Sequence, residues 1–121
     1  MSMQSYKELI VWQKGMVLVT EIYRLTDKFP KVEIFGLVSQ MRRAAVSIPA
    51  NLAEGYARKH KAEYVQFLRI AFGSGAELET HLLIAKNLGF AKDSNVVKIE
   101  ELLNEVMRML NKMISTLVAK P

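Results

Sequence analysis

Five polar side chains recur at steps of three or four residues near the middle of the chain, and together they could form one hydrogen-bonding strip. They are an amide, a guanidinium, a hydroxyl, a second amide and a carboxylate: Gln40, Arg43, Ser47, Asn51 and Glu54. At the spacing of an α-helix these residues share one face. One interpretation is a recognition surface, in which Arg43 and the adjacent Arg42 bind phosphates and Asn51 or Gln40 contacts bases or backbone. The other is a polar network across a subunit interface, which we favour for Gln40, Asn51 and Glu54.

The network interpretation requires acidic partners for Arg43, because a buried charge is tolerated when it is paired and hydrogen-bonded. The sequence offers Glu54 on the same face, and Glu77 and Glu79 further along the chain. Six residues are therefore expected to belong to a structural or interface network: Gln40, Ser47, Asn51, Glu54, Glu77 and Glu79.

Positive charge is concentrated around the same segment. The chain has a formal net charge of +5, and residues 35–61 contain five cationic side chains against Glu54 alone: Arg42, Arg43, Arg58, Lys59 and Lys61. A local field of this sign attracts phosphate or an acidic partner, although excess basic charge also occurs in proteins that bind no nucleic acid. For Arg42, Arg58, Lys59 and Lys61, surface electrostatics is the preferred interpretation. Tyr56 could stack on a base, but a contact with the next helix is favoured.

Catalytic groups are scarce elsewhere in the sequence. Carboxylate-bridged metal sites in four-helix proteins need Glu-x-x-His pairs that point inward, and this chain has none. Cysteine is absent and the two histidines are isolated, so the sequence predicts no zinc or iron site. Glu77 and His81 are expected to form a surface or interface pair. Ser47 and Ser74 have no neighbouring histidine to activate them. We therefore expect no catalytic residue, no metal, no cofactor and no enzymatic activity.

Hydrophobic periodicity divides the chain into four helical segments, and no strand pattern competes with it. Ser5 and Glu8 suit a capping box at the start of the first helix. Two apolar series follow on neighbouring faces. The series taken as the main one, with Trp12 as a core anchor, is Leu9, Trp12, Met16, Val19, Tyr23 and Thr26. The second series is Val11, Leu18, Ile22 and Leu25.

The other three helices are also legible from the sequence. The second opens between Ile34 and Leu37, continues through Pro49 with a kink, and ends around Gly55 to Ala57. Apolar lines define the third helix (Tyr64, Leu68, Ala71, Gly75, Leu78, Leu82, Ala85) and the fourth (Val96, Ile99, Leu103, Val106, Leu110, Met113, Leu117). Gly89 suits a left-handed cap after the third helix, and Asp93 or Ser94 can cap the fourth. We predict one all-α domain over residues 1–121, an antiparallel up-down-up-down four-helix bundle.

The surplus of apolar residues predicts self-association. One stripe per helix suffices in a lone bundle, but the first, third and fourth helices carry more, and a large apolar patch usually marks an interaction surface. The alternative is a wide core with scattered exposed apolar residues. Gly73 and Gly75 inside the third helix cost about 1 kcal/mol each relative to alanine, which is tolerated where another backbone must come close.

The start of the chain and its composition indicate a cytoplasmic protein. The first residues have neither the apolar core nor the cleavage site of a secretory signal. No apolar run approaches the roughly 18 residues that span a bilayer. We expect a soluble protein without a membrane partner.

The central motif resembles the 23S rRNA intervening-sequence proteins. The specific core of the resemblance is Arg42-Arg43-Ala44-x-x-Ser47-Ile48-Pro49-x-Asn51-x-Ala53-Glu54-Gly55. Val11-Trp12-Gln13, Phe29-Pro30, Phe35-Gly36-Leu37, Gly73-Ser74, Glu77-Leu78-Glu79 and Leu88-Gly89 extend it over nearly the whole chain. The fourth helix is similar only in character.

The resemblance implies a left-handed four-helix bundle that assembles as a ring-like homopentamer. Some members of the family are encoded within insertions in large-subunit ribosomal RNA genes. The related accessory proteins of diversity-generating retroelements are similar pentameric bundles that bind nucleic acid and associate with a reverse transcriptase. Neither group is known to have a catalytic site. On this resemblance the proposed RNA or DNA contacts are Arg42, Arg43, Arg58, Lys59 and Lys61.

Three functional hypotheses follow from the sequence. The first is a non-enzymatic oligomeric bundle whose basic surface binds RNA or DNA. The alternative is a protein-interaction scaffold, such as an accessory subunit that docks a nucleic-acid enzyme. An unrecognised metal-dependent enzyme is the third hypothesis, and metal analysis of the purified protein would test it.

Overall fold

The computed structural model describes residues 5–92 and 94–119, apart from the side chain of residue 95. Within these residues the chain forms four α-helices and no strand: α1 (Ile10–Thr26), α2 (Leu37–Ala57), α3 (Lys61–Asn87) and α4 (Ser94–Ala119). Short 3-10 turns at Tyr6–Glu8 and Lys31–Glu33 precede α1 and α2. The prediction of an all-α protein with four helices is therefore confirmed. A single domain over residues 1–121 stays a prediction.

Helix α1 begins later than the sequence predicted. The capping box is present: Ser5 Oγ accepts a hydrogen bond from the Lys7 N–H at 3.1 Å, and the Ser5 N–H donates to Glu8 Oε2 at 3.3 Å. These bonds cap the 3-10 turn, however, and Leu9 is extended before α1 begins at Ile10. The motif was recognised correctly, but it starts a separate turn that lies before the helix.

The core side of α1 is the series that the sequence analysis ranked second. Val11, Leu18 and Ile22 are buried, whereas Met16 and Tyr23 from the predicted main series are 45% and 42% exposed. The choice of main series was therefore wrong. The apolar side chains of α1 that the core leaves exposed lie on the side of the helix that contains Met16 and Tyr23.

Pro49 explains which side of α1 faces the core. Helix α2 is continuous through Pro49, as predicted, and the proline is buried. A β-carbon placed on Gly15 would lie 3.6 Å from the proline ring, so α1 approaches α2 along its glycine side. Trp12, which was predicted to be a core anchor, is only partly buried, and its ring meets Tyr6 edge-on with 5.4 Å between the ring centres.

The predicted core lines of α3 and α4 are largely correct. The α3 residues Leu68, Ala71, Gly75, Leu78, Leu82 and Ala85 are buried, and Tyr64 is half-buried. On α4 the buried line runs from Val96 to Leu110 as predicted and then reaches Ile114. Met113 and Leu117, which were predicted to continue the line, are partly exposed and border a surface cleft.

Gly89 ends α3 in the predicted way. Its φ is +77°, and the Phe90 N–H donates to the Ala85 carbonyl at 2.9 Å. The Phe90 ring then packs on Phe29 at 5.7 Å. A cap at Asp93 lies outside the described residues, and α4 begins at Ser94.

The helices surround one hydrophobic core. Helix α2 contacts α1 and α3, and α4 contacts the same two helices. A Lys14–Glu105 ion pair joins α1 to α4, and Lys86 pairs with Glu100 at 3.1 Å between α3 and α4. This packing fixes the end of α2 against the start of α3, where three of the predicted cationic residues lie.

Candidate nucleic-acid interface

The connection between α2 and α3 is only three residues long. Arg58, Lys59 and His60 join the two helices, and all three are exposed, as is Lys61 at the start of α3. Lys59 has a φ of 63°, in the left-handed region that favours glycine. The sharp reversal therefore holds several cationic side chains at one end of the molecule.

A glycine lets α3 pack tightly against the end of α2. A β-carbon on Gly55 would lie 2.8 Å from Phe67 Cβ, which is closer than real side chains approach, and a tight 3.1 Å from Tyr64 Cδ1. Gly55 is thus required for the close contact that brings Tyr64 beside the connection.

Two tyrosines and the connection surround one cavity. The rings of Tyr56 and Tyr64 lie 6.3 Å apart and perpendicular, which is the contact with α3 that the sequence analysis favoured for Tyr56. The cavity has a volume of about 290 Å³, and Lys59, His60 and Lys61 contribute to its wall. Burial raises the pKa of the Tyr64 phenol above its ordinary value of 10.0, with a smaller contribution from Tyr56. Tyr64 is therefore neutral at physiological pH. We call the residues Tyr56, Arg58, Lys59, His60, Lys61 and Tyr64 the α2–α3 corner.

Arg58 belongs to the corner and contacts acidic and aromatic side chains that surround it. Its guanidinium lies 3.7 Å from a Glu54 carboxylate oxygen, 3.9 Å from one of Glu63, and 5.3 Å from the centre of the Phe67 ring. Pairs that are half exposed contribute little stability, but they offset the charge of Arg58. Lys59 is therefore better placed than Arg58 to attract a phosphate, and Lys61 is exposed beside it.

Arg42, another predicted contact, is bonded to the end of α1. Its Nε donates to Thr26 Oγ1 at 3.0 Å, and its Nη2 lies 3.5 Å from the Tyr23 carbonyl oxygen. The guanidinium also lies over the Tyr23 ring, 4.5 Å from its centre. The Tyr23 carbonyl already accepts from the Asp27 N–H at 3.0 Å, so Arg42 adds a positive charge near the C-terminal end of α1, where the helix dipole favours a cation. Arg42 thus has a structural role in joining α1 to α2.

Arg43 lies on a different part of the surface from the corner. It is exposed and borders a groove of about 540 Å³ that Tyr23, Phe35 and Val46 also line. Phe35 is 94% exposed. Residues 42 and 58 are separated by sixteen positions along α2, or roughly 24 Å. The five predicted cations therefore form two groups.

Part of the predicted polar strip forms a hydrogen-bonded network. Asn51 Nδ2 donates to the carbonyl and the hydroxyl of Ser47 at 2.7 and 2.8 Å, and Ser74 Oγ donates to Ser47 Oγ at 2.8 Å. These bonds reinforce the turn of α2 that contains Pro49 and join it to α3. Ser74 was not among the predicted network residues, although its place between Gly73 and Gly75, where close helix packing was expected, was a usable signal.

The acidic members of the predicted network lie elsewhere. Glu54, Glu77 and Glu79 are exposed, as is Gln40. In the part of the chain that the structure describes, Glu54 pairs with Arg58, and Arg43 forms no ion pair with any of the three glutamates. The pairing is therefore absent within one chain. Pairing across a subunit interface stays a prediction.

His81 is buried, and this position contradicts the surface form of its predicted pair with Glu77, whereas the interface form stays a prediction. His81 is only 7% exposed, whereas Glu77 is exposed. The ring lies on the same side of α3 as Leu78 and Ala85, and across residues 5–92 and 94–119 its Nδ1 has no hydrogen-bond partner. No three histidine, cysteine or acidic side chains within these ranges are grouped so that they could hold a metal ion.

The geometry defines an all-α four-helix protein with a cationic, tyrosine-containing corner. The sequence pattern of the 23S rRNA-intervening sequence proteins matches residues 7–112, and the chain belongs to this family. None of the curated proteins matches the chain.

A solved structure has the same fold. It is the 1.70 Å crystal structure of a protein of unknown function from the S23 ribosomal protein family of Bacteroides thetaiotaomicron. The two chains are 21% identical and superpose with a TM-score of 0.78, over 87% of this chain and 98% of the other. At this identity the likeness establishes the fold alone. As for membranes, none of the helices within the described residues is long and apolar enough to cross one.

Proposed function

We propose that this protein is a non-enzymatic, oligomeric four-helix bundle of up-down-up-down topology that binds RNA or DNA in the cytoplasm. The observation that carries the proposal is the α2–α3 corner, where the exposed Lys59 and Lys61 lie beside Tyr56 and Tyr64. Ammonium groups attract phosphates and aromatic faces accept bases, a combination that nucleic-acid-binding surfaces use. Membership of a family named for 23S rRNA intervening sequences is consistent with RNA as the ligand.

Charge reversal in the corner tests the proposal. We would compare the Lys59→Glu/Lys61→Glu double variant with Lys31→Glu/Lys98→Glu, which changes the net charge equally at two other exposed lysines. Binding of a fluorescent structured RNA would be followed by anisotropy between about 50 and 200 mM salt. We expect the wild type to weaken steeply with salt. Removing two phosphate contacts should lower the slope by about 2.

Two results would count against the nucleic-acid proposal. One is an affinity that stays flat over this salt range. The other is an equal loss in both double variants, because the net charge, and no particular site, would then govern binding.

Exposed apolar surface supports the oligomeric part of the proposal. Phe35 projects beside the groove that Tyr23, Ile34 and Val46 line, and exposed aromatic and aliphatic side chains of this kind usually lie at interfaces. We expect sedimentation at micromolar concentration to give an oligomer, with the family resemblance favouring a pentamer. Phe35→Asp should shift the protein to smaller species, whereas Val97→Asp on the exposed side of α4 serves as a matched control. A wild type that sediments as a single 13.7 kDa chain would refute the assembly.

A further inference from the structure

An apolar cleft adjoins the α2–α3 corner. It lies between the start of α3 and the end of α4, has a volume of about 390 Å³, and shares Tyr64 and Leu117 with the cavity of the corner. Its remaining lining comes from α4: Met109, Lys112, Met113 and Thr116. The two hollows thus meet at the same two side chains.

The lining of the cleft divides into an apolar floor and a cationic edge. Met109, Met113 and Leu117 are partly buried and pack against the core, while Lys112 is exposed. Lys59 and Lys61 lie at the neighbouring cavity. A ligand that fits both hollows must therefore combine flat or bulky apolar parts with several negative charges.

We propose that this cleft receives the faces of unpaired bases while Lys59, Lys61 and Lys112 contact the adjoining phosphates, so that the protein prefers single-stranded to double-stranded nucleic acid. This inference rests on the proposed function. In a duplex the base faces are covered by their stacking neighbours, and only phosphates, sugars and groove edges are presented. The apolar floor offers none of these groups a hydrogen bond, so a duplex gains only the phosphate contact at the cationic edge of the cleft.

The same lining accounts for the kind of recognition expected. Methionine is flexible and polarisable and makes favourable contacts with aromatic rings. The floor has no donor or acceptor to read a base edge, so recognition should depend little on sequence. Tyr64 adds an aromatic face, and its neutral phenol does not repel phosphate. An acidic amphipathic peptide carries similar charges, but the tyrosine pair Tyr56–Tyr64 favours bases, which gain from stacking on an aromatic face.

The experiment measures the affinity of the full chain for three probes of the same length at one salt concentration. They are a single-stranded RNA of roughly 12 nucleotides, the corresponding duplex, and the single strand with its bases removed at alternate positions. Stacking of one or two bases should make the intact single strand bind roughly tenfold to a hundredfold more tightly than the other two.

Variants of the cleft supply the second readout. Met113→Gln and Leu117→Gln keep the side-chain length or volume roughly constant but make the floor polar. Met16→Gln on the exposed side of α1 is the matched control, since Met16 lies outside both hollows. Each cleft variant should weaken binding of the intact single strand several-fold and leave duplex affinity unchanged. Unchanged duplex affinity also shows that the variants are folded.

The outcomes separate this inference from the proposed function. Equal affinities for the three probes, or an equal effect of Met113→Gln on all of them, would overturn the cleft inference even if Lys59→Glu/Lys61→Glu abolishes binding. If that charge variant binds the single strand and the duplex as tightly as the wild type does, the proposed function itself is wrong. If an acidic amphipathic peptide binds the wild type and loses affinity in Met113→Gln, while the oligonucleotides do not, the cleft is a protein-binding site and the inference is wrong.

Discussion

The two central glycines of α3 should respond differently to replacement by alanine. Gly75 is buried against α4, and a β-carbon at this position would overlap Met107 Sδ and lie 3.3 Å from its Cε. Gly73 is exposed, and no atom outside its own helix lies within 4 Å of the corresponding position. The same glycine-to-alanine replacement can therefore be compared at a packed position and at an open position of one helix.

The size of the effect follows from two terms. Alanine is favoured over glycine in a helix interior by about 1 kcal/mol, and both variants receive this gain. Gly75→Ala also forces the end of the Met107 side chain to move. Because this side chain is flexible and partly exposed, the cost lies at the low end of that for overpacking, about 1 kcal/mol. We expect Gly73→Ala to raise the free energy of unfolding by about 1 kcal/mol. Gly75→Ala should be less stable than Gly73→Ala by about 1 kcal/mol, because the helix term cancels in the comparison and the displacement of Met107 remains.

Urea denaturation followed by circular dichroism measures both variants. The protein concentration must be held constant, since self-association would add to apparent stability. Met107→Ala in the Gly75→Ala background removes the clashing sulfur, so the double variant should recover part of the loss. Equal stability of the two glycine variants would refute the packing argument at Met107. If Gly73→Ala instead weakens self-association, Gly73 lies at a subunit contact, as the sequence analysis supposed for both glycines.

Three further predictions concern the residues that build the corner and its supports. Arg42→Ala should destabilise the protein by about 1–2 kcal/mol by removing the bonds to α1, whereas Arg43→Ala should change stability by less than about 0.5 kcal/mol; thermal unfolding of both variants compares them. Lys59→Gly should stabilise the fold by about 1 kcal/mol by relieving the left-handed backbone but weaken RNA binding, as paired melting and anisotropy measurements would detect. The raised pKa of Tyr64 favours the protonated phenol in the folded state. The contribution of this phenol to the free energy of unfolding is therefore present below pH 10.0 and is lost as the pH rises through the higher folded pKa. Tyr64→Phe should lack this loss in urea titrations on either side of pH 10.0.

The helices were predictable because each carries a periodic apolar line and recognisable ends. The limits of α2, the left-handed cap at Gly89 and the core line of α3 follow from local rules and were correct. The choice between the two stripes of α1 could not be made locally. It depends on where Pro49 approaches, and Gly15 was the only residue in α1 that indicated this contact.

The candidate site was harder to predict because charge in a sequence does not reveal its partners. Arg42 and Arg43 are adjacent and equally basic, yet one binds the end of α1 and the other is exposed. The cleft was missed because Met113 and Leu117 continue a regular apolar line, and only the packed helices show that the core ends at Ile114.

Lys59 connects the stability of the fold with the proposed function. A left-handed residue at the end of a helix is commonly glycine, because a side chain there costs about 1 kcal/mol or more. The chain instead has a long cation at this position, between Arg58 and the start of α3. A locally unfavourable residue is expected where function outweighs stability. At this sharp reversal a glycine would make the turn at lower cost, but it would remove one of the two exposed ammonium groups beside the tyrosine pair.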